Sequence, residues 1–150
     1  MKEPDTTSSK QSNKDQMVHP AGVVFDLELR LMVWRPVGIL NAKAVNTLIQ
    51  FLEKEEDIAH QPFNRFTDTS KLDALDLEDR FVYRVALHRR RSYAGRPPVK
   101  SAFYVTSEAS SHYLKIHAIV SEQSPLEVRI FKNLEQAAEW LGVPLAKLEP

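Results

Sequence analysis

Val23-Val24-Phe25-Asp26-Leu27-Glu28-Leu29-Arg30-Leu31-Met32-Val33-Trp34 is the stretch on which the fold turns. In its first half Val23, Phe25, Leu27 and Leu29 alternate with Val24, Asp26, Glu28 and Arg30, the two-residue period of a half-buried strand. Its second half, Leu31 to Trp34, is a further apolar run. Two runs this close predict a hairpin that turns near Asp26 to Arg30, and Pro36 and Gly38 end it.

Downstream of the hairpin the period changes. Asn41 is placed to cap a helix in which Val45, Leu48, Ile49 and Leu52 recur at i, i+3, i+4 and i+7, reaching about Ile58. Phe63 to Thr67 reads as a short strand that runs into the polar turn Asp68, Thr69, Ser70. A second helix is predicted from Asp76, with Asp79 at its third position and a buried stripe of Phe81, Val82, Val85 and Ala86. After the breaker Gly95-Arg96-Pro97-Pro98, a strand over Lys100 to Val105 leads to a helix from Ser107 that buries Ala109, Tyr113, Ile116 and Val120. The last strand covers Glu127 to Phe131. In the closing helix Asn133 is the cap, Gln136 is placed for a capping box, and Leu134, Ala137, Ala138 and Leu141 point one way before Gly142 and Pro144 stop it. Strand, strand, then helix and strand in alternation give an α/β fold class: a small, mostly parallel sheet with right-handed helical crossovers and an N-terminal antiparallel hairpin strand. No internal repeat is found.

Upstream, Met1 to Pro20 is rich in Ser, Thr, Gln, Asn and mixed charge and nearly free of apolar residues. Such a stretch cannot offset its ordering entropy by burial, so residues 1–20 are expected to be a disordered polar tail and 21–150 a single domain. Thr6, Thr7, Ser8, Ser9 and Ser12 are candidate modification sites, although polar tails carry this composition without regulation. No secretory or mitochondrial leader pattern is visible, and the expected location is cytoplasmic. The chain has 150 residues, 20 Lys+Arg against 20 Asp+Glu, and no cysteine. Formal neutrality removes the global field that would condense the protein on nucleic acid or anionic lipid. The lack of thiols excludes disulfides, thiolate metal sites and cysteine nucleophiles. No apolar run approaches the roughly 20 residues of a membrane span, so a soluble protein is expected.

The segments Val24 to Gly38, Phe63-Asn64-Arg65-Phe66-Thr67-Asp68-Thr69-Ser70, and Val128-Arg129-Ile130-Phe131 leading to Ala137-Ala138-Glu139-Trp140-Leu141 resemble the SpoIIAA-like branch of the STAS domains. Relatives of that branch include anti-sigma factor antagonists and proteins grouped with the lipid-binding SEC14 fold. The resemblance covers nearly all of residues 22 to 145. It implies a small sheet with packed helices that binds a partner protein without catalysis of its own. One departure stands out. The switch serine of the antagonists sits about eight residues beyond the strand-end Asp, and counting on from Asp68 reaches Asp76, Leu77 and Glu78, with no hydroxyl. The acids Asp76, Glu78 and Asp79 occupy that helix end instead, so the serine switch is expected to be lost and partner binding constitutive or controlled elsewhere. Ser70 is the nearest remaining hydroxyl, in a position where a turn serine ordinarily serves the local backbone.

Between Arg80 and Lys100 lie seven Lys+Arg and no acid: Arg80, Arg84, Arg89, Arg90, Arg91, Arg96 and Lys100. At 100° per residue Arg80, Arg84, His88 and Arg91 share a stripe beside the apolar face. Such charges complement a helix C-terminus, and they also suit an anion, an acidic partner or an acidic headgroup. Glu53, Glu55, Glu56 and Asp57 crowd the C-terminal end of the first helix, against its dipole, and could pair with the basic helix of the same chain or of a second copy in a homodimer. His19, His60, His88, His112 and His117 lack metal-ligand spacing, and one of them is expected to be a partly buried structural histidine. Asp68, Thr69, Ser70, Thr106 and Ser107 lie at strand ends, where open sheets hold ligands, but no nucleophile elbow, phosphate loop or dinucleotide fingerprint accompanies them. Phe81, Tyr83, Phe103, Tyr104, Tyr113 and Trp140 either fill a core or line a cavity for a lipid-like molecule.

The sequence therefore reads as a non-catalytic protein-binding or regulatory module without the switch serine. Its expected contact residues are Asp68, Thr69, Ser70, Asp76, Arg84, His88, Arg89, Arg90 and Arg91. The alternative is a carrier or sensor of a small apolar or amphiphilic ligand with an acidic headgroup. No cofactor, metal, nucleic acid partner or membrane span is expected. The partner would be an unidentified protein or a second copy of the chain.

Overall fold

The computed structural model describes residues 20–122 and 124–150. Apart from Pro20, the expected tail lies outside the described residues, as do His19 and the hydroxyls of Thr6, Thr7, Ser8, Ser9 and Ser12. The chain is α/β. Its elements run β1 (Val23–Asp26), β2 (Leu31–Trp34), β3 (Gly38–Asn41), α1 (Ala42–Ala59), β4 (Asn64–Asp68), β5 (Leu72–Asp76), α2 (Asp79–Ser92), β6 (Val99–Tyr104), α3 (Glu108–Val120), β7 (Leu126–Phe131) and α4 (Leu134–Leu141). A short 3-10 turn, Leu145–Lys147, follows. Among the described residues no helix is long and apolar enough to cross a membrane.

Five strands form the main sheet in the order β1-β2-β4-β6-β7. β1 runs antiparallel to β2, and every other neighbouring pair is parallel. The turn between β1 and β2 is tighter than the alternation suggests: the Asp26 carboxylate accepts the Leu29 N–H at 3.0 Å and Arg30 takes φ 52°. Asp26 thus ends the strand by folding the chain onto its own side chain, leaving Leu27 exposed rather than on the buried face. Gly22 closes the other end of this hairpin. It takes φ 79°, its carbonyl accepts the Arg35 N–H, and a Cβ there would meet the Arg35 carbonyl oxygen at 2.5 Å.

The crossovers β2-α1-β4, β4-α2-β6 and β6-α3-β7 all step the same way across the sheet. Crossovers of one hand that step in one direction place their helices on one face. Accordingly α1, α2 and α3 share a face, while α4 and the C-terminal turn cover the other. Strand alternation sorts the side chains. Leu31, Val33, Phe66 and Ala102 point to α4, packing with Ala137, Ala138, Leu141 and Leu148, whereas Met32, Trp34, Arg65, Thr67, Ser101 and Phe103 point to α1–α3. α1 and α4 begin where expected, with the Asn41 and Asn133 carboxamides accepting the Ala44 and Gln136 N–H groups. Gly142 ends α4 in the left-handed region.

Three expectations need correction. β3 and β5 form a second, two-stranded parallel sheet in which Leu40 stands beside Leu75 and Asn41 beside Asp76. Asp76 consequently ends a strand, and α2 starts at Asp79, with Glu78 as its N-cap residue and no side-chain cap bond. The third concerns α3, whose inward side carries Ser110, Tyr113, Leu114 and His117, while Ala109 is exposed. Ser107 does cap this helix, accepting the Ser110 N–H at 3.2 Å.

Candidate functional site: a cavity with a buried arginine pair

The helix-covered face of the sheet is not fully packed. A cavity of about 130 Å³ lies between β2, β4 and β6 below and α1, α2 and α3 above. Across its floor Met32, Arg65 and Ser101 stand in register, and Trp34, Thr67 and Phe103 form the next row. Leu48 and Leu52 of α1, Val82 and Val85 of α2, and Leu114 of α3 make an apolar roof. The small sheet closes one end with the inward faces of Leu40 and Leu75 and turns Ile39 and Ala74 outward.

Central strands of a sheet covered on both faces are ordinarily near-continuous runs of apolar residues. Arg65, Thr67 and Ser101 depart from that rule. Arg65 is 5% exposed and meets Glu56, 2% exposed, through Nη2 to Oε2 at 3.0 Å. The same Nη2 donates to the Phe63 carbonyl at 3.1 Å and to Tyr93 Oη at 2.8 Å. Glu56 also accepts the Phe63 N–H at 2.8 Å and a hydrogen bond from Tyr93 Oη. Tyr93 lies within 5.1 Å of the Arg65 guanidinium and 5.0 Å of that of Arg89, measured from the ring centre. Arg89, 4% exposed, donates Nη2 to Tyr93 Oη at 3.0 Å and Nη1 to Glu53 Oε1 at 3.3 Å, and His88 shares that Glu53 oxygen at 2.9 Å.

Charge bookkeeping gives this network its character. Two guanidiniums and one carboxylate are fully buried, and the second carboxylate, Glu53, compensates from a position 36% exposed. Burial lowers the Arg89 pKa, and the neighbouring Arg65 charge lowers it further. Burial raises the Tyr93 pKa, while both arginines pull it back. His117 stands on the cavity wall with its ring edge-on to Phe103, and its pKa falls to about 3, first because it is desolvated and then because Arg89 and Arg65 oppose a second positive charge. It is a neutral imidazole at pH 7.

The residues expected to make one contact surface are dispersed. Asp68 is buried at the end of β4, accepting the Ser70 N–H at 2.9 Å and standing 3.9 Å from Arg35 Nε. Thr69 lines the cavity and bonds through Oγ1 to the Tyr104 carbonyl at 2.8 Å. Ser70 and Asp76 are exposed near the small sheet. Arg84, His88, Arg90 and Arg91 are exposed on α2, and Arg90 reaches the Val120 carbonyl at 3.2 Å. Arg89 alone of the Arg89-Arg90-Arg91 run turns inward, because i, i+3 and i+7 from Ala86 place Arg89 and Tyr93 on the buried side. The acidic end of α1 pairs within the chain at Glu53 and Glu56. Of the aromatic set, Phe81, Phe103 and Tyr113 line the cavity, Tyr83 faces solvent, and Tyr104 and the α4 residue Trp140 pack against the core on the other face. Among the described residues no group of three or more His, Asp or Glu could hold a metal ion.

Reading the sequence by charge runs missed Glu56, Arg65 and Tyr93 as a unit. A signal was present: Glu56 continues the apolar series Leu48, Leu52 at i+4, and Arg65 lies between Phe63 and Phe66 in a strand with apolar neighbours. A charged residue on each of two buried faces calls for a partner, and each is the other's.

No protein-family model matches the chain, and no curated protein does. Among solved structures, the chain is similar to an uncharacterized protein from the DUF3478 family with a SpoIIAA-like fold, from Shewanella loihica PV-4. The two are 18% identical, with a TM-score of 0.49, over 74% of this chain and 83% of that one.

Proposed function

We propose that this domain is a non-catalytic binding module that takes a small, mainly apolar molecule into the cavity between the sheet and α1–α3. The observation that carries the reading is a cavity of about 130 Å³ with an apolar roof, left open in a sheet face that packing would otherwise fill. An engineered apolar cavity of about 150 Å³ binds benzene, so the volume suits one ring or a short chain and is too small for a whole lipid. This narrows the amphiphile expected from the sequence. The buried charged side chains at the cavity, Arg65 and Arg89, are bonded to Glu56, Tyr93 and Glu53 rather than arranged with a nucleophile and base, which favours binding over turnover. Native mass spectrometry of protein purified gently from its own cells tests the reading. An adduct on the order of one hundred daltons that leaves on denaturation supports it, and uniformly bare protein that also fails to take up added toluene overturns it.

A second reading, a protein partner that docks near Ser70 and Asp76, draws support from the small sheet. Ile39 is 64% exposed on the outer side of the strand pair whose inner side closes the cavity, and Val37, just before β3, is 73% exposed. Cross-linking in the native cell tests it. Partner peptides linked at Lys71 support the reading, and links confined to other faces overturn it.

A further inference from the structure

We infer that the cavity's ligand carries a single carboxylate, held by Arg89 and Arg65 at the polar end while its apolar body lies under α1–α3. This rests on the reading of the cavity as a binding site and adds the chemical class of what fills it. Both arginines line the cavity. Arg65 donates through Nε and Nη2 and Arg89 through Nη1 and Nη2, so Arg65 Nη1 and Arg89 Nε bond no other described residue. A carboxylate has two oxygens, so it can accept from one free N–H of each arginine. The only fully buried carboxylate in the network is Glu56, already bonded by the Phe63 N–H, Arg65 and Tyr93. Arg89 is completed by Glu53 at 3.3 Å, from a partly solvated position where the attraction is screened. A ligand carboxylate would therefore meet an arginine pair whose second counter-charge is weakly held. The neutral His117 and the apolar roof add no competing anion.

Cavity volume selects the probes: benzoate, and toluene as its uncharged counterpart of similar shape. The readout is the ratio of benzoate to toluene affinity by titration of the full chain, which cancels effects common to both ligands. In the wild type benzoate binds more tightly than toluene. Arg89→Gln lowers the ratio about tenfold or more, the scale of one lost charge-assisted hydrogen bond. Glu53→Gln removes the competing carboxylate and raises it several-fold. Should Arg89→Gln fail to unfold cooperatively, the Glu53→Gln ratio decides alone, since that side chain lies at the surface end of the network. Toluene binding with a ratio that neither variant moves overturns the carboxylate assignment and leaves the cavity reading standing. Failure of the wild type to bind either probe overturns both.

Discussion

Against one face of the five-stranded sheet lie Leu31, Val33, Phe66 and Ala102, closed over by Ala137, Ala138, Leu141 and Leu148. Against the other lie Met32, Arg65, Thr67 and Ser101, with a cavity between them and α1–α3. The strands are the same, and only the alternate residues differ. The α4 face is packed with apolar atoms, which is how a small domain gains most of its stability. On the α1–α3 face Met32, Trp34, Leu40, Leu48, Phe51 and Leu52 also pack together, but an ion pair, hydroxyls and a void lie beside them. Replacing buried ion pairs by apolar residues is often neutral or stabilising, so the buried Arg65–Glu56 pair is weak evidence of a stabilising role. Both faces carry apolar clusters, and the charged network and the cavity distinguish the α1–α3 face, to which the proposed binding role belongs.

The largest test of that contrast is Phe66→Ala, at a fully buried position of the α4 face. Chemical denaturation should show a loss of about 3–5 kcal/mol. A loss no larger than that of Leu75→Ala, beside the cavity, would break the comparison. Next is Glu56→Gln, which leaves Arg65 and Arg89 with their buried counter-charge gone. A loss of about 3 kcal/mol is expected, and a neutral result would mean that the pair is not buried in solution.

Acid sharpens the comparison further. In the unfolded chain His117 titrates near 6.5, and in the fold its pKa is about 3. Between these values the unfolded state binds a proton that the folded state does not, so this group's contribution is complete above pH 6.5 and declines as pH falls toward 3. The slope is at most ~1.4 kcal/mol per pH unit. Urea denaturation from pH 7 to pH 4 should give a shallower slope for His117→Leu than for the wild type. Equal slopes would place the imidazole in water. The smallest effect expected is from Val85→Leu, which adds a methylene to the cavity roof. Stability should change by less than about 1 kcal/mol while toluene uptake falls; a large destabilisation would show that the roof is already full.

Much of the architecture was legible because its signals are local. The two apolar runs of the first hairpin, the Asn41 and Asn133 caps and the Gly142 stop each act within a few residues. β3 and β5 were not legible. Each is short, β5 carries Asp73 and Asp76 against its strand propensity, and their pairing joins residues that are far apart in sequence. The candidate site was legible in parts only. The basic run containing Arg89 is visible, but which of its three arginines turns inward depends on where α2 begins. In the sequence Asp76 looks like a cap for that start, whereas in the fold it pairs as a strand end beside Asn41. Glu56 looks like one of its acidic neighbours in the sequence, since only the tertiary fold brings Arg65 and Tyr93 to it.

The central claim, that the α1–α3 face holds a ligand cavity, is most directly tested by methyl-resolved NMR of the full chain titrated with toluene. Saturable shifts are expected at Leu40, Leu48, Leu52, Leu75, Val82, Val85 and Leu114, the methyls around the cavity. Leu31, Val33, Leu141 and Leu148, on the α4 face, should stay in place. A titration that leaves both sets unmoved, or that moves the α4 set alone, would contradict the account.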